Sequence, residues 1–421
     1  MNHPPKDVER LVADLFRRAS GRLTAVLTRR FGPQHLSLAE DAVQDALMRA
    51  LHTWPFSGVP DEPEGWLFRV AVNRGLDVLR HETLARDKLN LIARDDDLAR
   101  RVPEPSIDDE LAMMFMCCHP ALPHAARIAL TLKTVGGLSV DEIAAAFLSA
   151  PPTIAQRLVR AKAQIRDEKL PFEVPGPDEL PERLSSVLDV IYLLFNEGYS
   201  AHGGENLTRA ELCNEAIRLA RLLLANPRTA LPHVHALLAL MLFHAARLPA
   251  RTDAAGDMLL LSEQDRGRWD HAMTAEAFHH FEASFADAKT AVHVEAAIAS
   301  VHAAAGPGVT DWPRICFMYD ELMALKPTPI IALNRAVAIG MARGPDAGLR
   351  ELEAISGEPQ LANYHLLPAA QGAFWLRAGE GRKAAACYRQ ALAMNCTPPE
   401  RRFLERQLAC CAFVPADPIS A

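Results

Sequence analysis

Residues able to do chemistry with a nucleic acid concentrate between Leu138 and Arg166. Thr153, Gln156, Arg157, Arg160, Lys162 and Arg166 share a helical stretch whose opposite side is Ile154, Leu158, Ala161 and Ile165. From a helix in the major groove, Gln and Arg read base edges, and Lys and Arg hold phosphates. Ser139 followed by Glu142 has the form of a capping box, and Phe147–Ala150 reads as a turn. Pro151 and Pro152 suit the start of the next helix, because a first-turn Pro loses no needed hydrogen bond. A solvated basic face on an ordinary helical hairpin accounts for the same residues, and charge alone does not separate the two readings.

Two further polar clusters lie upstream. Glu40, Asp41, Gln44 and Asp45 fall within a turn and a half of one expected helix, a patch that can pair with basic side chains of a protein and repel DNA. Arg69, Asn73, Arg74, Asp77 and Arg80 form the polar face of another. Its Asn and Arg can hold an unpaired base or its phosphate, and Arg69 and Arg74 suit phosphate better than base. Each cluster also has a plainer reading, a solvated acidic face for the first and surface ion pairing for the second, with Asp77 and Arg80 as the expected pair. Trp66 reads as core.

Other groups that look reactive resolve into structure. Cys117-Cys118-His119-Pro120 has no second Cys pair nearby, so buried thiols are expected rather than a metal site. His233, His235, His244, His279 and His280 make no ligand set with a carboxylate. Glu197, Asp265 and Arg266 read as a buried ion-pair network joining helical hairpins. No phosphate-binding loop, dinucleotide glycine fingerprint or nucleophile elbow is present. No catalytic residue, metal or cofactor is therefore expected.

The elements that must hold these groups are helices. Hydrophobic content is 49% with only 6% aromatic, and the Ala and Leu that dominate favour helix over strand. The length of 421 residues calls for two or three domains. Helical spacing predicts helices over residues 7–30, from near Ser37 to about Leu51 with Ser37 and Glu40 as a capping box, and from Glu64 to about Arg86. Asp87–Asp109, with Asp95-Asp96-Asp97, reads as a linker, as does the Pro-rich 171–181. Residues 110–170 form a second helical unit. Helix follows helix over 182–412, and 413–421 is a tail. Residues 1–170 carry no net charge, so the whole −7 falls on the remainder; a polyanion would approach only local basic surfaces of the first part. No membrane span or secretion signal is expected, which predicts a cytoplasmic protein.

The order of three stretches resembles the extracytoplasmic-function subfamily of sigma-70-type RNA polymerase factors. Leu38–Leu51 is similar to the acidic helix that binds core polymerase, Gly65–Arg80 to the helix that meets and opens the −10 element, and Leu138–Arg166 to the region 4 helix-turn-helix that reads the −35 element. The resemblance implies an all-α fold with region 2 at 1–86 and region 4 at 110–170. It assigns Glu40, Asp41, Gln44 and Asp45 to core polymerase. It assigns Arg69, Asn73, Arg74 and Arg80 to −10 DNA, and Thr153, Gln156, Arg157, Arg160, Lys162 and Arg166 to −35 DNA. In that family the linker lies along the template and RNA path of the polymerase, where Asp95–Asp97 would mimic nucleic-acid charge; an ordinary soluble linker explains it as well.

The chain beyond the second unit resembles the extension of one sigma-factor group that carries a tetratricopeptide-like domain and lacks an obvious anti-sigma partner. Gly372, Trp375, Gly379, Ala384, Tyr388 and Ala391 match the repeat spacing, and Ala303, Ile315, Tyr319, Leu322 and Pro327 match it weakly. A solenoid of three to five hairpins is expected, with an insertion near 250–270, regulating the factor or binding a protein regulator. Two other readings fit: a helix-turn-helix regulator that never touches core polymerase, and a repeat scaffold or enzyme with an N-terminal targeting module.

Overall fold

The computed structural model describes residues 19–84, 107–147, 149–200, 208–286, 288–305 and 310–413. Residues 7–18 of the first expected helix, the acidic run Asp95–Asp97, Leu148 of the expected turn and the tail from 414 lie outside the described residues. Among the described residues the regular structure is helical, with one isolated antiparallel bridge between Thr252 and Met258. None of the described helices is long and apolar enough to cross a membrane. The chain divides into two compact units, Met1–Ile191 and Tyr192–Ala421.

The first unit opens with α1 (residues 19–31), α2 (Leu36–Ser57) and α3 (Pro63–Leu84). Leu23, Leu27, Val43, Leu47, Trp54, Leu67, Phe68 and Val72 form their common core. Trp66 packs edge-on to Trp54 with ring centroids 5.4 Å apart, the core role expected for it. α2 runs past Leu51 because Trp54, 1% exposed, gives its last turn an apolar anchor. The capping box expected at Ser37 and Glu40 does not form. A 3-10 turn, Pro33–His35, leads straight into α2; His35 is the N-cap and Leu36 donates its N–H to Pro33. Ser37 therefore sits inside the helix, and the Glu40 carboxylate is released for another partner.

The unit continues with α4 (Ile107–Cys117), α5 (His124–Thr134), α6 (Val140–Ala146) and α7 (Pro151–Asp167). α8 (Leu180–Tyr199) crosses the division between the units. Its first half is tied into the first unit. Arg183 donates to the Phe115 carbonyl at 3.0 Å and Ser186 to that of Cys118 at 2.6 Å, while Arg127 donates to Ser186 at 2.8 Å. Cys117 and Cys118 are buried, with Thr134 at 3.0 Å and Thr131 at 3.3 Å from their sulfurs. Among the described residues no three His, Cys, Asp or Glu side chains gather as a metal site would need.

The second unit is a run of helices in which each packs on its neighbour in sequence: α9 (Ala210–Leu224), α10 (Pro232–Ala245), α11 (His271–Ala283), α12 (Ala291–Ala304), α13 (Trp312–Leu325), α14 (Pro329–Arg343), α15 (Pro345–Ala354), α16 (Leu366–Arg377), α17 (Gly381–Leu392) and α18 (Pro398–Cys410). Such nearest-neighbour packing builds a quasi-one-dimensional stack. α10, covered by α9, α11 and α12, buries Val234 and all but one residue of Ala236–Ala245. Residues 248–270, between α10 and α11, hold only 3-10 turns and the bridge, at the place where an insertion is expected. In the α16–α17 hairpin Gly372, Ala384, Tyr388 and Ala391 are buried, and Gly379 takes φ +82° at the turn.

The expected network of Glu197, Asp265 and Arg266 is replaced by separate contacts. Glu197 pairs with Arg209 at 3.4 Å. Asp265 accepts from the Gly267 N–H at 2.9 Å, and Arg266 donates to the carbonyls of His302 and Ala305 while lying over Trp269. The local turn at 265–268 uses Asp265 as its own cap.

The tightest approach among the later helices is at Gly340 of α14, where an added methyl would collide with the Phe374 ring of α16. Gly340→Ala should cost about 1–3 kcal/mol by overpacking. Gly357→Ala, with open space around it, should be near neutral. Denaturant midpoints of the two full-length variants, followed by far-ultraviolet circular dichroism, check the contrast.

Candidate nucleic-acid interface

α6 and α7 take the helix-turn-helix form. Ser139 accepts from the Glu142 N–H at 3.1 Å and donates its own N–H to the Glu142 carboxylate at 2.7 Å, so the expected capping box is present. Pro151 and Pro152 occupy the first turn of α7. Ile154, Leu158, Ala161 and Ile165 are buried, which fixes the helix rotation. That rotation leaves Thr153, Gln156, Arg160 and Arg166 exposed and Arg157 half-buried. Arg166 carries an ion pair with Asp167 at 2.8 Å, and hydrogen bonding to that neighbour raises its already high pKa.

Lys162 behaves differently. Its ammonium is turned away from the exposed face and pairs with Glu40 of α2. The side chains are 19% and 8% exposed, so the pair is largely withdrawn from water. The second Glu40 oxygen, Oε1, is shielded and has no hydrogen-bond partner. Thus the structure joins one residue expected to meet polymerase with one expected to meet DNA. The same approach brings α1 against the end of α5, where a Cβ on Gly21 would collide with the Val135 carbonyl oxygen. Arg29 pairs with Asp109, and Arg22 lies 3.6 Å from Glu110.

The other α2 candidates stay at the surface. Asp41, Gln44 and Asp45 are exposed, and Asp45 accepts from Arg74 of α3 at 2.6 Å. On α3, Arg69, Asn73, Arg74 and Arg80 are all exposed. Arg80 lies 3.8 Å from Asp77, the surface pair expected from the sequence. Sequence reasoning passed over Met48 and Phe56, which are 53% and 91% exposed on α2. They continue the stripe of Asp41, Asp45 and His52 at three- and four-residue steps. That spacing was the available signal, although apolar residues on a helix are ordinarily assigned to its core.

Comparison with known proteins agrees with these helices. Sigma-70 region 2 matches residues 15–84, and sigma-70 region 4 matches residues 112–165. A family of unknown function, DUF6596, matches residues 183–285. An uncharacterized protein of Rhizobium meliloti is 39% identical over 392 residues, covering 91% of this chain and 92% of that protein. The ECF RNA polymerase sigma factor SigE of Mycolicibacterium smegmatis is 29% identical over 158 residues, covering 37% of this chain and 60% of that protein. No solved structure matches.

Both sigma-70 regions, in order on one chain, define a transcription-initiation factor that works with RNA polymerase and promoter DNA. The chain belongs to the sigma-70-type factors of the extracytoplasmic-function kind, in the form that carries a C-terminal helical extension.

Removing one partner of a buried ion pair strands the other charge, at a cost of about 3–5 kcal/mol. In Lys162→Met, Glu40 can regain water if α7 leaves α2. Hydrogen exchange of α2 amides should therefore speed up in Lys162→Met and return toward the parent rate in the double variant Glu40→Leu, Lys162→Met. Unchanged exchange in the single variant would show that the pair does not hold the helices together.

Proposed function

We propose that the protein binds core RNA polymerase through the exposed face of α2 and directs promoter-specific initiation, with α3 on −10 DNA and α7 on −35 DNA. The observation that carries this reading is the succession of the two sigma regions on faces of opposite character. α2 offers Asp41, Gln44 and Asp45 beside Met48 and Phe56, while α7 offers Thr153, Gln156, Arg157, Arg160 and Arg166. An acidic stripe with apolar anchors suits a basic, partly apolar protein groove, since the charges steer encounter and the apolar side chains supply the desolvated contact.

On α3, Arg69, Asn73 and Arg80 are placed to take the separated strand. Arg74 exchanges Asp45 for phosphate once polymerase engages that carboxylate. Capture of single-stranded bases and phosphates offsets the unstacking cost, so opening the duplex needs no covalent chemistry from this chain.

The Glu40–Lys162 pair gives the free factor a closed form. Polymerase contact with Glu40 and DNA contact with Lys162 both require that pair to part. A buried pair with one orphaned oxygen contributes little net stability, which keeps the opening inexpensive. The acidic extension, read as tetratricopeptide-like, regulates this opening or docks a protein regulator, and the factor acts in the cytoplasm beside its polymerase.

Co-purification with core polymerase in the absence of DNA, followed by run-off transcription from the chain's own upstream region, tests the reading. Asp41→Arg with Gln44→Arg should abolish co-purification. Arg160→Ala with Arg166→Ala should leave co-purification intact and weaken promoter binding. Each lost phosphate contact should also flatten the salt dependence by about 0.9 in the log–log slope. Failure of the parent chain to bind core polymerase at low salt would remove the proposal. A stop codon after Ser200, which spares all of α8, should change promoter output if the extension regulates it.

A further inference from the structure

The second unit holds a cavity of about 610 Å³ between α8, α10, α12, α13 and α14. Its wall combines Phe195, Phe243, Ile298 and Leu322 with a set of ionisable groups unusual for the inside of a helical stack. Lys326, Ile330, Asn334 and Gln360 are exposed and stand at its rim, whereas the remaining lining is buried or half-buried.

The ionisable groups do not cancel. Tyr192 donates to Glu295 at 2.8 Å, and Lys326 lies 3.9 Å from the other Glu295 oxygen, so that acid and that base answer each other. Arg247 has no such counterpart. It donates Nε to the Gln264 side chain at 3.3 Å and stands over the Trp269 ring at 5.5 Å, with no carboxylate partner among the described residues. Beside it, the Nδ1 atoms of His244 and His302 are shielded from solvent and have no hydrogen-bond partner. Burial first, and then the Arg247 charge, pushes His244 down to about 3 and His302 to about 4, so both imidazoles are neutral at physiological pH. Arg247 thus leaves the lining one positive charge in excess, next to two unused imidazole nitrogens.

A half-buried cation and two buried ring nitrogens are costly when no partner answers them. A single carboxylate answers all three: guanidinium donates to one or both oxygens, and a neutral imidazole donates through Nδ1–H in the matching tautomer. The volume lies within the range of small-molecule sites, and the aromatic and aliphatic wall suits an apolar body. We infer that this cavity is a binding site for a small monocarboxylic acid with an apolar body, held by Arg247, His244 and His302. The site stands independently of promoter recognition, because none of its residues lies in the sigma regions.

The test uses the full-length chain and 2-naphthoate, a planar monocarboxylate, followed by isothermal titration calorimetry. Its neutral analogue 2-naphthamide is the comparator. The expected result is one site per chain for 2-naphthoate and at least tenfold weaker binding of the amide. Arg247→Gln should lose at least tenfold in 2-naphthoate affinity, while Arg247→Lys retains part of it. Ala299→Phe, which fills the cavity without touching a charge, should abolish binding. Circular dichroism melts identify a variant that fails to fold, in which case the acid-against-amide comparison on the parent chain decides. No binding of 2-naphthoate at millimolar concentration, or equal binding of acid and amide, overturns the proposal. So does binding unaffected in both folded Arg247→Gln and folded Ala299→Phe, which would place the probe elsewhere.

Discussion

A carboxylate drawn out of water must be answered by a partner, and among the described residues Glu40 is answered by Lys162 alone. That one pairing sets what the first unit can present. It holds the basic ammonium of α7 inward while the rest of the α7 basic face stays in solvent, and it keeps the acidic stripe of α2 one residue shorter than its sequence. The surfaces for enzyme and for DNA are not independent in this arrangement. A factor whose two binding faces share a charge pair can use either one fully only by giving up the contact between them.

Much of the fold was legible because helical signals are local. The Ser139 capping box, the first-turn prolines of α7 and the buried series Ile154, Leu158, Ala161 and Ile165 all stand where spacing places them. The same local reasoning misplaced Ser37 and Glu40. A serine three residues before a glutamate has the right form for a cap, but the 3-10 turn at Pro33–His35 had already satisfied the helix start. Pairing across 122 residues leaves no trace in either local pattern. Nor does the exposure of Phe56, since nothing in a single helix distinguishes an anchor meant for a partner from one meant for the core. Glu197 and Arg266 failed for a related reason: each found a partner set by tertiary approach, one an arginine and the other a pair of carbonyls.

The extension shows how a simple stacking rule leaves room for chemistry. Each helix rests on helices one or two places away in sequence, so the stack is stabilised contact by contact, and a residue between them can be polar without unravelling the whole. Arg247 and the two histidines occupy such a place. On sequence alone His244 makes no ligand set with a carboxylate, and Arg247 and His302 match no pattern that would join them to it. Only the packing of α12 beside α10 turns them toward one hollow.

The adjacent thiols at the end of α4 have a last consequence. Cys117 and Cys118 are sealed under α5 and the start of α8; burial pushes the Cys118 thiol up to about 12 and the Cys117 thiol higher still. Neither can be alkylated while that corner is shut, because the reactive thiolate is scarce and the sulfur is unreachable. Their modification is therefore a clock for local breathing of the region 4 half, running inside the native chain without any engineered label.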